Sequence, residues 1–264
     1  MYFSGRDAQQ RSSVGYVDLN VESGALEYVH DRPVFLHGAA DSFYSHGVSI
    51  GNWYSQAGQR YILFMGWQCP PGEHWRGEVG RLRLSADGTL SLADSGPYMA
   101  LDEHDPVSLS YPWVMGDAER GYRMWYGSTR SWDAGNGEML HVINGAESVD
   151  GERWHKRGLA VPYELGRAQA YSRPTVVCDA QGGYHMWFSY RGAPAVSYRI
   201  GYASSEDGEH WRLRLDETGI APSVAGWDSE MIEYPFVFRH RDRWIMLYNG
   251  NDYGRSGFGM ASSE

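Results

Sequence analysis

The sequence predicts an all-β fold, a five-bladed β-propeller, from three observations. Five aromatic-rich segments recur along the chain: YFSGRD (2–7), YILFMGW (61–67), YRMWYGS (122–128), YHMWFSY (184–190) and WIMLYNG (244–250). Their spacing is about 60 residues throughout, and a fixed period is the mark of a repeat architecture. A second short strand follows each one. No sustained helical periodicity interrupts them, while 14% aromatic residues and 33 glycines fit aromatic strands closed by glycine turns.

Each element has its own reason. The aromatic segments end on small or polar residues, Ser4, Gly66, Gly127, Ser189 and Asn249. The second strands are GYVDL (15–19), GRLRLS (80–85), HVINGAES (141–148), IGYASSE (200–206) and FGMASSE (258–264). Three of them run into Asp87-Gly88, Asp150-Gly151 and Asp207-Gly208, where glycine tolerates the positive φ of a tight turn. Trp154 and Trp211 then open outer strands, WHKRGLAVP and WRLRL. Ahead of four aromatic strands lie GVSIGNWY (47–54), YPWVMG (111–116), RPTVVC (173–178) and YPFVFR (234–239). Three of these begin X-Pro, and proline is tolerated at the first residue of a strand.

Four strands per unit and five units make the propeller, a single domain over 1–264. No unit buries both faces alone, so neighbouring blades must stack. The innermost strands are expected to line a central channel, with the turns entering them at one mouth. The count leaves blade 1 without its innermost strand and blade 5 without its outer one. An unpaired edge invites aggregation, so a second copy covering it, a homo-oligomer, is one expectation.

The formal net charge of −10 argues against a generic nucleic-acid surface. Two cysteines, Cys69 and Cys178, do not make a disulfide framework. No secretory pattern opens the chain and no apolar run reaches membrane-spanning length, so a cytoplasmic protein without a membrane partner is expected. The ten histidines show no HExxH spacing, and neither a P-loop nor a dinucleotide fingerprint is visible. No metal and no cofactor are expected.

YFSGRDAQQRSSVGYVDL, Asp105-Pro106 with Ser110 and Pro112, Ser172-Arg173-Pro174, SYRG…YRIGYASSEDGEHW and SEMIEYPFVF…YNGNDYG…GFGMA together resemble five-bladed propellers related to glycoside hydrolase families 43, 32 and 130. More narrowly they resemble a bacterial subgroup found among sugar and polysaccharide biosynthesis genes. The resemblance covers nearly the whole chain. It implies the fold, a small-molecule substrate that is sugar-like or anionic, and a site at the channel mouth. It also marks departures. Relatives carry an acidic FDxxGV turn where this chain reads FYSHGV (43–48), with Asp41 as a substitute nearby. They often place an acidic residue where Arg173 stands.

A glycosidase of this architecture needs two carboxylates across the scissile bond. Asp105, before Pro106, and Glu230, in the SEM motif, are the candidates; the alternative for Asp105 is an Asx turn. Glu230 and Glu233 lie three apart, so in an extended segment they face opposite sides, with Glu233 expected on the lip or in solvent. His46 is a candidate general base. Arg173 is expected to clamp a carboxylate or phosphate through its planar fork, or to form an ion pair between blades. Arg6, Asp7, Arg191, Asn249 and Asn251 sit at strand ends and are candidate substrate contacts, with Trp67 a candidate stacking platform.

These residues lead to a glycosidase-like carbohydrate-active enzyme working on a sugar or an activated or anionic derivative. Two alternatives keep the pocket: a non-hydrolytic transferase, lyase or cyclase acting on an anionic small molecule, and a non-catalytic sugar-binding propeller.

Overall fold

A computed structural model describes residues 1–263. It contains eighteen strands. In the first blade these are β1 (Tyr2–Arg6), β2 (Ser12–Leu19) and β3 (Leu26–Val29). The second holds β4 (Gly47–Gln56), β5 (Gln59–Gln68), β6 (Arg76–Leu84) and β7 (Leu90–Leu92). The third holds β8 (Ser108–Asp117), β9 (Gly121–Ser131), β10 (Leu140–Ser148) and β11 (His155–Leu159). The fourth holds β12 (Ser172–Cys178), β13 (Tyr184–Tyr190), β14 (Arg199–Ser205) and β15 (Arg212–Leu213). The fifth holds β16 (Glu233–His240), β17 (Arg243–Asn249) and β18 (Phe258–Ser262). The strand order matches the repeat read from the sequence. Among the described residues the first blade lacks an inner strand and the fifth an outer one. The first two blades are joined: a parallel bridge, Ser12 to Gly47, merges their strands into one seven-stranded sheet. The remaining sheets are β11-β10-β9-β8, β12-β13-β14-β15 and β16-β17-β18.

The chain divides into two compact units, Met1–Met124 with Ala146–Lys156, and Trp125–Gly145 with Arg157–Glu264. In the first unit Val14, Val48, Ile50, Ile62, Phe64 and Leu82 form the core. Residues Ile62–Gly66 of β5 are all buried, because both faces of the sheet are covered there. That is why YILFMGW is continuously apolar rather than alternating. In the second unit Ile200, Ile232, Val237, Met246 and Tyr248 form one cluster. Trp125 meets Trp211 edge-on at 5.8 Å in the same unit, a geometry that aromatic quadrupoles favour.

Two local devices shape the strands. The Asp-Gly turns after β10 and β14 are one motif, built twice. The Ser148 Oγ accepts the Gly151 N–H (2.9 Å), and the Asp150 carboxylate accepts the N–H groups of Glu152 (2.8 Å) and Arg153 (2.9 Å). Ser205 and Asp207 do the same for Gly208 (2.8 Å), Glu209 (2.8 Å) and His210 (2.8 Å). Backbone donors from Arg153 and Glu152 pull the Asp150 carboxyl down to about 2.

The second device sits at the X-Pro entries. Tyr111, Arg173 and Tyr234, each immediately before a proline, have φ of 41°, 49° and 55°. A residue before proline is pushed out of the right-handed helical region, and here it takes the left-handed one. Register shifts between Ser172 and Thr175, and between Glu233 and Phe236, mark bulges at two of these points. Each bulge re-aims the side chains at the strand entry.

Candidate functional site

In the first unit the structure brings together three expected residues. The Arg6 guanidinium carbon lies 5.5 Å from the Trp67 ring centroid, a cation–π distance. The His46 and Trp67 ring centroids lie 5.9 Å apart, with the rings tilted at 42°. Trp67 Nε1 donates to Ser12 Oγ at 2.9 Å, which fixes the indole. His46 Nδ1 accepts the backbone N–H of Cys69 at 3.2 Å. With that lone pair engaged, the neutral imidazole carries its proton on Nε2. It therefore offers a donor to a ligand, which is a poor arrangement for a general base. Burial raises the neighbouring Cys69 thiol, with Arg6 opposing.

Asp7 does not pair with Arg6. Its carboxylate accepts the N–H groups of Gln9 (2.9 Å) and Arg11 (2.9 Å) and forms an ion pair with the Arg11 side chain at 2.9 Å. This is a turn built by local chemistry. The backbone bond from Arg11 is the chief reason its carboxyl is held below the usual range.

Asp105 is fully buried, at 0% exposure, and its Oδ2 lies 2.8 Å from Lys156 Nζ. The same ammonium reaches Asp102 at 2.8 Å. Asp102, in turn, accepts the N–H groups of His104 (3.0 Å) and Asp105 (3.0 Å). The Asx turn is present, then, with Asp102 as its acceptor. Burial works to raise the Asp102 carboxyl, but Lys156 and these backbone donors outweigh it and hold it low. A carboxylate closed off from solvent and salt-bridged to lysine is placed to anchor the entry of β8.

In the second unit the two glutamates of SEMIEYP exchange the places expected of them. Glu233 is fully buried, at 0% exposure, whereas Glu230 is exposed. The alternation rule needs an extended backbone, but β16 begins only at Glu233, which pairs with Asn249. Residues 230–232 lie before the strand, so period-two reasoning does not reach them. Glu230 is held by its backbone. Its N–H donates to Asn251 Oδ1 (2.8 Å), and its carbonyl accepts from Arg199 Nη1 (2.7 Å). Among the described residues its carboxylate has no hydrogen bond or ion pair.

Asn251 is a clamp. Its oxygen also takes the Met231 N–H (3.0 Å), and its amide donates to the Gly226 carbonyl (3.1 Å). Asn249 donates to the Tyr253 carbonyl at 3.2 Å. Arg191 is engaged by a buried partner: its Nε lies 2.8 Å from Glu138 Oε2, and its Nη2 lies 3.0 Å from Oε1. The Glu138 side chain is only 3% exposed. Burial works against the charged guanidinium, but Tyr198 and Glu138 outweigh it and leave the pKa of Arg191 raised. Arg173 lies with its guanidinium carbon 5.0 Å from the Tyr234 ring centroid.

A cleft of about 220 Å³ in this unit gathers Arg191, Tyr198, Glu230, Asp252 and Tyr253. Sequence reasoning missed Tyr198, Asp252 and Tyr253. The last two occupy a single turn, Asn251–Gly254, with φ of 54° and 59°. The signal available was the run NDYG, since Asp tolerates left-handed φ and glycine ends such turns. A larger surface groove of about 620 Å³, lined by Tyr184, Trp211, Arg212 and Asp207 among others, holds none of the expected residues. Among the described residues no three His, Cys, Asp or Glu side chains are grouped to hold a metal ion. No helix is long and apolar enough to cross a membrane.

No family model matches the chain. Two curated relatives from Mycobacterium tuberculosis, the uncharacterised proteins MT1551 and Rv1502, are each 44% identical over 267 residues, covering 100% of this chain and 87% of theirs. Among solved structures, a glycoside hydrolase matches with a TM-score of 0.73 at 13% identity, over 96% of this chain and 78% of that one. A structure from work on glycoside hydrolase family 130, on hydrolases that target β-1,2 mannosidic linkages in Candida mannan, matches at 0.69 and 14% identity, over 100% and 80%. At such identities the likeness shows the fold alone, the all-β propeller that those glycoside hydrolase structures share.

Proposed function

The chain belongs to the family of the Mycobacterium tuberculosis proteins MT1551 and Rv1502, and from its glycosidase-like fold and the Glu230 cleft we propose that it is a carbohydrate-active enzyme. One observation carries the proposal. The unengaged carboxylate of Glu230 lines a cleft with two tyrosines and the Arg191 side chain. Carboxylates beside aromatic faces suit sugars, whose hydroxyls donate and whose C–H faces pack on rings. Fold alone does not set the chemistry, so the proposal stands on that carboxylate. Glu230→Gln keeps the backbone bonds to Asn251 and Arg199 and removes only the charge. It is expected to lower turnover of a processed sugar by about 10²–10⁴-fold, with circular dichroism and the unfolding midpoint unchanged. Turnover within a few-fold of the parent would remove Glu230 from the chemistry.

A second reading, a non-hydrolytic transferase, lyase or cyclase, is favoured by Asp105. Its burial against Lys156 takes away one of the two carboxylates that hydrolysis would use. Turnover in ¹⁸O-labelled water separates the two: label in the product means hydrolysis, and its absence means transfer, elimination or cyclisation. Sugar binding without turnover would leave the non-catalytic propeller.

A further inference from the structure

The cations and anions at the Glu230 cleft are not equally available. Arg191 lines it, but the buried Glu138 takes both its Nε (2.8 Å) and its Nη2 (3.0 Å). Arg199 stands close by, with its Nη1 turned to the carbonyls of Tyr198 (3.0 Å) and Glu230 (2.7 Å). Arg255 lies 4.0 Å from Asp252, and both side chains are largely in solvent, at 84% and 72% exposure. An exposed pair at that distance contributes little. Neither Arg199 nor Arg255 is among the residues that line the cleft; of the charged groups that do, Arg191 is tied to Glu138, which leaves the carboxylates of Glu230 and Asp252 to bond a ligand. Ionised carboxylates only accept hydrogen bonds.

Two further observations point to a ligand. Asp252 and Tyr253 sit at φ of 54° and 59°, and left-handed non-glycine residues are uncommon and cluster at binding sites. That turn sets Tyr253, 52% exposed, against Tyr198 with ring centroids 6.3 Å apart. The volume of about 220 Å³ is below the roughly 300–1,000 Å³ of pockets for drug-sized ligands, which suits one sugar ring better than a chain of them.

Resting on the carbohydrate reading above, we infer that this cleft takes a single uncharged sugar residue, whose hydroxyls donate to Glu230 and Asp252 beside the Tyr253 ring, and that it rejects carboxylated and phosphorylated sugars. Asp252 is the specificity residue. An anionic substituent would meet two carboxylates in the lining, whose one cation, Arg191, is already paired with Glu138, a repulsion that low salt strengthens.

Equilibrium binding to the full chain tests this without reference to turnover. The probes are methyl glucoside, galactoside and mannoside, each with its 6-carboxylate and 6-phosphate counterpart, titrated by calorimetry at low ionic strength. At least one neutral hexoside is expected to bind, with its anionic counterparts weaker by about tenfold or more, a difference of about 1.4 kcal/mol. Asp252→Lys should reverse that order, and Tyr253→Ala should weaken the neutral sugar. Three results overturn the inference: no neutral hexoside binds, the anionic form binds as well as the neutral one, or Asp252→Lys leaves the order unchanged. The two readings fail separately. Neutral binding that Asp252 controls, without turnover of any sugar, sinks the enzyme and keeps the cleft's specificity. Turnover of an anionic sugar that Glu230→Gln abolishes does the reverse.

Discussion

Arg81 shows how one residue can organise its surroundings. Its guanidinium carbon lies 4.5 Å from the Tyr61 centroid and 4.3 Å from that of Tyr98, with Asp94 at 2.9 Å and Glu152 at 2.8 Å. Burial penalises the charge, yet bonds to Asp94 and Glu152 outweigh this and leave its pKa raised. Arg81→Met removes the cation while keeping much of the packing. Because Asp94 and Glu152 are partly solvated, at 29% and 46% exposure, the expected loss is about 2–3 kcal/mol, below the usual cost of breaking a fully buried pair. Chemical denaturation measures it, and a loss under about 0.5 kcal/mol would mean the aromatic faces, not the charges, hold the site. The same residue-level detail separates what the sequence could tell from what it could not. The exposure of Glu230, the burial of Glu233 and the lysine beside Asp105 were not legible. Each depends on where a strand begins or on a partner far along the chain.

The strands themselves were legible, because the blades repeat one hydrophobic and aromatic plan, most continuously in β5, whose two faces are both covered. The small residues ending the aromatic strands proved to have a mechanical role that their type alone did not reveal. Ser4 Oγ accepts the Ile50 N–H at 2.9 Å, and Ser189 Oγ accepts the Tyr234 N–H at 2.7 Å. In both cases a serine of an aromatic strand holds the backbone of the next inner strand. Thr175 reinforces the second contact by donating to the Pro235 carbonyl at 2.7 Å. Ser189 is fully buried, at 0% exposure, so no water replaces its oxygen. Ser189→Ala should therefore cost about 1–3 kcal/mol, the penalty of an orphaned buried N–H. The denaturation midpoint should shift at constant m-value. An unchanged midpoint would show that the Tyr234 N–H finds another acceptor.

For the molecule as a whole, acid stability should turn on a buried imidazole. His141 is 2% exposed, its Nδ1 lies 2.7 Å from Thr129 Oγ1, and burial pushes its pKa from 6.5 down to about 4. The unfolded chain takes up a proton below about 6.5 that the native state refuses, so stability falls as pH drops from there toward about 4. The full effect is about 3 kcal/mol. His141→Gln should flatten this part of the stability–pH curve, and an unaltered slope would assign the effect elsewhere. The acid limb below pH 3.8 is separate and belongs to carboxylates held low by turn bonds, such as Asp150. A different kind of consequence follows from the three left-handed residues before proline. Tyr111, Arg173 and Tyr234 occupy the same backbone corner, twice with a tyrosine and once with an arginine. The proline that follows each one keeps it out of the right-handed helical region, and the corner accepts both a phenol and a guanidinium. A combinatorial library that varies these three positions one at a time and keeps each proline should retain a high fraction of folded members, counted by soluble expression and a cooperative unfolding transition, which would make these corners entry points for laboratory evolution of this scaffold.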